Sequence, residues 1–319
     1  MTKQPMIILS GPTAVGKTAA SIELAKRVNG AIISADSMQV YKYMDIGSAK
    51  ITPEEMDGVK HYLIDELEPS EEFNIVRFQA MAKAALEEIY ENGQIPIIAG
   101  GTGFYIQALL YDIDFDNQDC DEAYRAELEA FAKDYGNEAL HARLQEIDPA
   151  SAEKIHANNV KRVIRALEFY RLTGKPISEH NEAEQQKASP YNFAYFVLTD
   201  DRANLYKRIE KRVDIMMEQG LLAEVQKLKD MGYHRNMVSM QGLGYKEILD
   251  YLDGKCTLEE AVYTIKLETR HFAKRQLTWF RRERDICWID KSEFNYDENA
   301  VLDEICRVLY TKGIIKESL

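Results

Sequence analysis

Residues 10–18 read SGPTAVGKT, and no other stretch of the chain limits its fold so strongly. Gly11, Gly16, Lys17 and Thr18 satisfy the spacing GxxxxGK[ST], which serves where a strand delivers the chain into a turn and a helix takes it away. The glycines let successive backbone N–H groups turn inward, and the helix that follows adds about half a positive charge at its start. Gly11, Pro12, Thr13, Ala14, Val15, Gly16, Lys17 and Thr18 are therefore a candidate phosphate cradle. Lys17 would reach the terminal phosphates and Thr18 would offer its hydroxyl to Mg²⁺. The competing possibility is a plain turn that carries a lysine. The flanks favour the cradle: "MIILS" (6–10) is a short apolar strand, and apolar residues recur at helical spacing from Ala19 to Val28. Asn29-Gly30 should stop that helix, with the glycine in the left-handed cap conformation.

The alternation continues. "AIISAD" (31–36) and "IPIIAGG" (95–101) read as second and third strands, and Ile75 to Ile89 as a helix closed by Asn92-Gly93. Thr52 before Pro53 has the form of a helix N-cap with proline at the first helical position. Strands alternating with helices of this length predict an α/β fold, a phosphate-loop parallel sheet flanked by helices. Past residue 110 the pattern breaks. An acidic crossing (111–122) leads into an almost wholly helical stretch, 123–185, in which 158–174 is clearest. "NFAYFVLTDD" (192–201) regains strand character and "WID" (288–290) is a possible last strand. The expected organisation is a core of 1–115 with 190–319 and an all-helical insertion of 116–189, consistent with about two domains in 319 residues.

Apolar residues make up 45% and charged residues 29%, ordinary for a globular protein. No apolar run reaches the ~20 residues needed to span a bilayer, so no membrane role is expected. The short apolar run at the N-terminus leads straight into the loop and reads as a strand, not a signal peptide. Cys120, Cys256, Cys287 and Cys306 are widely spaced, a pattern of reduced cytoplasmic thiols without a zinc site. The formal charge of −13 argues mildly against a nucleic-acid partner, although local clustering outweighs the sum.

The loop leaves the owner of the phosphates open, and ATP or GTP is the usual one. A Walker B aspartate would be expected at a nearby strand end. "IPIIAGG" ends without a carboxylate, while "FVLTDD" ends in Asp200 and Asp201. Asp36 closes the second strand at the edge where open α/β sheets bind ligands. It would be ionised at neutral pH and could position Mg²⁺ or accept a proton; the alternative is a helix N-cap for "DSMQ". Thr102, in the glycine turn after "IPIIA", offers a hydroxyl to the same edge. "TRHFAKRQLTWFRRER" (269–284) departs most from the chain's acidity. There Arg270, Lys274, Arg275 and Arg281 interleave with Phe272, Trp279 and Phe280, suiting phosphates and stacked bases. A helix burying Phe272, Leu277 and Phe280 with its charges in water would look similar. Lys161, Arg162 and Arg165 form a second basic face within the expected insertion.

Six motifs, "GPTAVGKT", "DSMQVYKYMDIGSAK", "GGTGFYIQAL", "VKRVIRALEFYRLTGKP", "QGLGYKE" and "TRHFAKRQLTWFRR", run in order from residue 11 to 282. Together they resemble the tRNA dimethylallyltransferases, also called tRNA isopentenyltransferases. No counterpart of the zinc finger of eukaryotic members follows, which suits a bacterial-type enzyme. The resemblance implies that the loop holds the diphosphate of dimethylallyl diphosphate, with Mg²⁺ on Thr18. The nucleophile would be N6 of the adenine just 3′ of the anticodon, and Asp36 the general base. Arg212, ahead of Arg208, would add a second cation at the diphosphate, and Thr102 would contact the tRNA beside the target base. Asp36, Ser37, Met38 and Gln39 would hold the flipped and neighbouring bases, while the two basic faces grip the anticodon stem-loop. A cytoplasmic monomer is expected. A small-molecule kinase and an adenylate isopentenyltransferase are the enzymatic rivals, and an RNA-binding NTPase switch is the non-enzymatic one.

Overall fold

The computed structural model describes residues 3–115 and 121–316, so Cys120 and part of the acidic crossing lie outside the described residues. The chain divides into two compact units, Met1–Leu110 with Pro190–Leu319, and Tyr111–Ser189.

The first unit is built on six strands, β1 (Pro5–Ser10), β2 (Gly30–Ala35), β3 (His61–Tyr62), β4 (Ile95–Gly100), β5 (Asn192–Thr199) and β6 (Ile286–Asp290). Their order is β3-β2-β4-β1-β5-β6, and every pairing is parallel. Met6 to Ser10 and the whole of β2 are buried, as a parallel sheet covered on both faces requires. Leu24 and Ala25 of the helix Lys17–Val28, Leu205 and Ile209 of Arg202–Gln219, and Val301 and Ile305 of Glu298–Thr311 share one core with Ile7 and Phe196. With β3 counted, "IPIIAGG" is the fourth strand of the chain and not the third. The register brings three loop starts together. Gly100 stands level with both Ser10 and Ala35, so the loops after β1, β2 and β4 leave the sheet at one height. Chain direction across the sheet reverses beside β1, where such folds open a crevice.

Local signals hold with one correction. Asn29, not Gly30, takes the left-handed cap (φ 51°) and donates its N–H to Ala25 O, while Gly30 already belongs to β2. The short polar side chain of asparagine tolerates that conformation, which leaves glycine free to start the strand. Thr52 forms a full capping box with Glu55 ahead of the turn Pro53–Met56.

Every regular element among the described residues of the second unit is a helix: Glu122–Tyr135, Asn137–Ile147, Pro149–Lys154, Val160–Thr173 and Ile177–Gln186. Leu128, Leu140, Leu144, Val163, Ile164 and Leu167 form its core. Asp148 caps one of these helices through Ser151 N (3.0 Å) and accepts from Ser178 Oγ of another (2.6 Å), joining them by a buried carboxylate.

Candidate active site

A cleft of about 480 Å³ opens in the first unit over the carboxyl ends of β1, β2 and β4. The phosphate loop forms one wall. Lys17 Nζ donates to its own loop carbonyls, Gly11 O at 2.9 Å and Pro12 O at 2.8 Å. Burial, reinforced by the nearby Arg212 charge and opposed by Asp36, pushes the Lys17 amine down to about 7. Arg212 lines the cleft and donates to Thr13 Oγ1 (3.4 Å). Burial holds its guanidinium below the usual arginine range; Asp36 works against that shift and the Arg208 charge adds to it. Lys17 and Arg212, mutually repelling and drawn partly out of water, leave the cleft with a demand for anionic charge. Arg208 lies 3.8 Å from Asp200 and its guanidinium reaches Gly16 of the loop, where an added Cβ would come 3.2 Å from it, while Arg212 is the one of the two that lines the cleft.

Asp36 stands across the cleft and is the sole carboxylate lining it among the described residues. Its Oδ1 accepts from Met38 N at 2.8 Å. The carboxylate thus closes a turn, as the capping alternative required, but no helix follows it. One oxygen fixes the backbone while the group faces Lys17 and Arg212. The Walker B question closes differently. Asp201 caps the helix Arg202–Gln219 by accepting from Ala203 N and Asn204 N, and Asp200 accepts from the Tyr296 hydroxyl at 3.1 Å. Neither lines the cleft.

Ser37, Met38, Gln39 and Thr102 also line the cleft. Thr102 donates its backbone N–H to Ala35 O (3.2 Å), locking the β4 turn to the end of β2. Gln39 is committed within the chain: its Oε1 accepts from Ser34 Oγ (3.1 Å) and its Nε2 donates to Ala49 O (3.2 Å).

The basic stretch divides by environment on the helix Leu258–Phe280. Arg275 lines the cleft, Arg270 pairs with Glu210, and Lys274 and Arg281 are exposed. Phe280 and Ala273 are fully buried, whereas Phe272 and Leu277 are only half-buried. In the second unit Lys161 and Arg162 are exposed, while Arg165 leans on the buried Glu168 at 3.4 Å. Two residues escaped the sequence reading. Gln276 accepts from Thr13 N (2.8 Å) and donates to Gly101 O (3.0 Å), bolting the phosphate loop to the β4 turn. Lys291, also buried, pairs with Glu298 and lies 3.5 Å from Val15 O behind the loop. Nothing local marks either, because their contacts to the loop, at Thr13 and Val15, are distant in sequence.

The same helix presses on Gly103. A Cβ there would come 2.2 Å from Trp279 Cδ1 of the indole ring. Gly103→Ala should therefore cost about 1–3 kcal/mol of stability by overpacking. Denaturant or thermal unfolding reads this, and an unchanged midpoint would contradict the contact.

The donor set suits Mg²⁺ only in company with a substrate. Thr18 Oγ1 and Asp36 border the cleft, and among the described residues no group of three His, Cys, Asp or Glu gathers into a metal cage. Mg²⁺ commonly keeps waters and uses one or two side chains together with substrate phosphates.

A parallel sheet with a phosphate loop after β1, two half-buried cations, Lys17 and Arg212, and one facing carboxylate define an α/β protein of the phosphate-loop class. Residues 39–283 match the IPP transferase family profile. The chain is 60% identical over 313 residues, 98% of its length and 100% of the relative's, to the tRNA dimethylallyltransferase of Lachnoclostridium phytofermentans. It is 55% identical to that of Acetivibrio thermocellus over 93% of this chain and 95% of the other. Among solved structures, the Bacillus halodurans tRNA isopentenylpyrophosphate transferase superposes with TM-score 0.73 at 48% identity, covering 98% of each chain. A eukaryotic dimethylallyltransferase acting on tRNA gives TM-score 0.84 at 31% identity, over 98% of this chain and 81% of the other. The chain belongs to the IPP transferase family.

Proposed function

We propose that this protein transfers a dimethylallyl group from dimethylallyl diphosphate to N6 of the adenosine immediately 3′ of the anticodon in tRNA, releasing diphosphate. The observation that carries it is the pairing of a cationic phosphate cradle with a single carboxylate across one cleft. The N6–C1 bond forms as the C1–O bond breaks, its electrons leave with the diphosphate, and the proton lost by N6 passes to Asp36. An aromatic amine surrenders that proton only as it is alkylated, which is where a poised carboxylate helps. Lys17, Arg212 and the loop N–H groups meet the charge developing on the departing diphosphate. Mg²⁺, held by Thr18 and the substrate's own phosphate oxygens, would supply further charge neutralisation when bound.

The acceptor base has to leave its stack, at a cost of a few kcal/mol. Ser37, Met38 and Thr102 at the cleft, with Gln39 behind them, would receive it. Arg275 at the cleft, the exposed Lys274 and Arg281, and Lys161 and Arg162 of the helical unit would hold the tRNA backbone. Arg270 and Arg165, each engaged with a carboxylate, would contribute less. The three described cysteines are free thiols, and among the described residues no helix could cross a membrane.

Affinity for tRNA should fall about tenfold or more between low and moderate salt despite the −13 charge, because phosphate contacts release counterions. Charge reversal at Lys161 and Arg162 should flatten that dependence. In the same assay, a tRNA with guanosine in place of the target adenosine should bind but accept no label. Salt-independent binding would remove the basic faces from the interface, and label on the guanosine tRNA would remove N6 as the acceptor.

A further inference from the structure

The cleft wall opposite the phosphate loop includes Gly47, Ser48 and Ala49, which belong to an irregular loop running from Asp36 to Lys50. Irregular backbone beside a cleft needs partners for its donors, and here three consecutive ones, at residues 45–47, are met by one side chain. Glu224, in the first turn of the helix Leu221–Asp230, accepts from Asp45 N (2.9 Å) and Ile46 N (2.7 Å) with Oε2. Its Oε1 accepts from Gly47 N (3.0 Å) and from the Tyr245 hydroxyl (2.8 Å). The Tyr245 ring lies so close that a Cβ on Gly47 would come 2.6 Å from it, so loop and ring meet without clearance. On the other flank the buried Lys50 donates to Tyr41 O and to Asp45 and Asp65. The segment held in this way ends at Ala49, whose carbonyl accepts from the Gln39 amide, three residues past Asp36.

We infer that Glu224 is a positioning residue for the acceptor side of the reaction. Its carboxylate fixes residues 45–47, and through Ala49 and Gln39 it sets the wall against which the acceptor base and Asp36 must align. It touches no reacting atom. An amide cannot replace it, because four donors need both oxygens as acceptors and glutamine offers only one. The phosphate loop has its own supports in Gln276 and Lys291, so the two sides of the cleft should respond separately.

This inference rests on the transfer to tRNA proposed above, and the test separates the two. In Glu224→Gln, kcat for transfer should fall about tenfold to a hundredfold, the scale of a misplacement near 1 Å. Affinity for a non-reacting dimethylallyl diphosphate analogue should stay within about twofold, and hydrogen exchange at the amides of 45–47 should accelerate. Gly47→Ala, which pushes the same loop from the other side, should give the same split if Glu224→Gln does not fold. A variant rate equal to wild type overturns the positioning role and leaves the proposed function standing. A parallel loss of analogue affinity also overturns it, since the effect is then general. Failure of the wild-type protein to modify tRNA overturns both.

Discussion

Asp36→Asn is expected to lower the rate of dimethylallyl transfer by about 10²–10⁴-fold, the contribution of a positioned general base. Asparagine keeps an oxygen for the Met38 N–H, so the turn that orients residue 36 survives and only the proton acceptor is lost. Affinities for tRNA and for the diphosphate substrate should change little. No second carboxylate lines the cleft among the described residues, so no neighbour stands ready to take the proton. Single-turnover transfer, with each substrate's binding measured separately, distinguishes this from a structural role. Loss of tRNA binding in step with the rate would show that Asp36 only shapes the turn.

Lys17→Met should lower transfer about 10²–10³-fold, as for loss of one preorganised cation at a developing anion. A proton count accompanies it. The folded, unliganded amine titrates at about 7 against 10.5 in a solvated lysine. Between these values the unfolded chain holds one proton more, so Lys17 makes the empty fold more stable as pH rises from about 7 towards 10.5. Below about 7 its buried charge is a standing cost. A bound diphosphate reverses the preference by stabilising the ammonium. At pH 8, calorimetry of a dimethylallyl thiolodiphosphate in buffers of different ionisation enthalpy should therefore register uptake of about one proton. At pH 6 uptake at Lys17 should be close to none, and in Lys17→Met it should be absent at both. Equal uptake in wild type and variant would place the titrating group elsewhere.

Much of this was legible locally. The loop, its strand and its helix are contiguous, so spacing and periodicity suffice from Met6 to Val28. Asp36 is legible because β2, apolar but for Ser34, runs directly up to it. What escaped was either too short or too distant. β3 has two residues, His61 and Tyr62, too few for any alternation to register. Gln276 meets Thr13 across 263 positions, and Glu224 meets Ile46 across 178, so only the tertiary fold brings them together. The basic stretch from 269 to 284 illustrates a different limit. Its composition is one signal, but packing of the helix Leu258–Phe280 sends Arg275 to the cleft, Arg270 to Glu210 and Phe280 into the core. Gln39, placed by the resemblance among the residues holding the bases, has both ends of its amide bonded inside the chain. Side-chain commitments of this kind follow from neighbours that no local pattern names.

The central claim is that the phosphate loop cradles a leaving diphosphate and not a nucleotide. The most direct measurement incubates the protein with radiolabelled dimethylallyl diphosphate and Mg²⁺, offering unmodified tRNA, free AMP, or tRNA with added ATP. Label entering tRNA without ATP, with one diphosphate released for each group transferred and none entering AMP, is the expected result. No label in tRNA, accompanied by hydrolysis of ATP or GTP or by phosphoryl transfer from it, would contradict the claim.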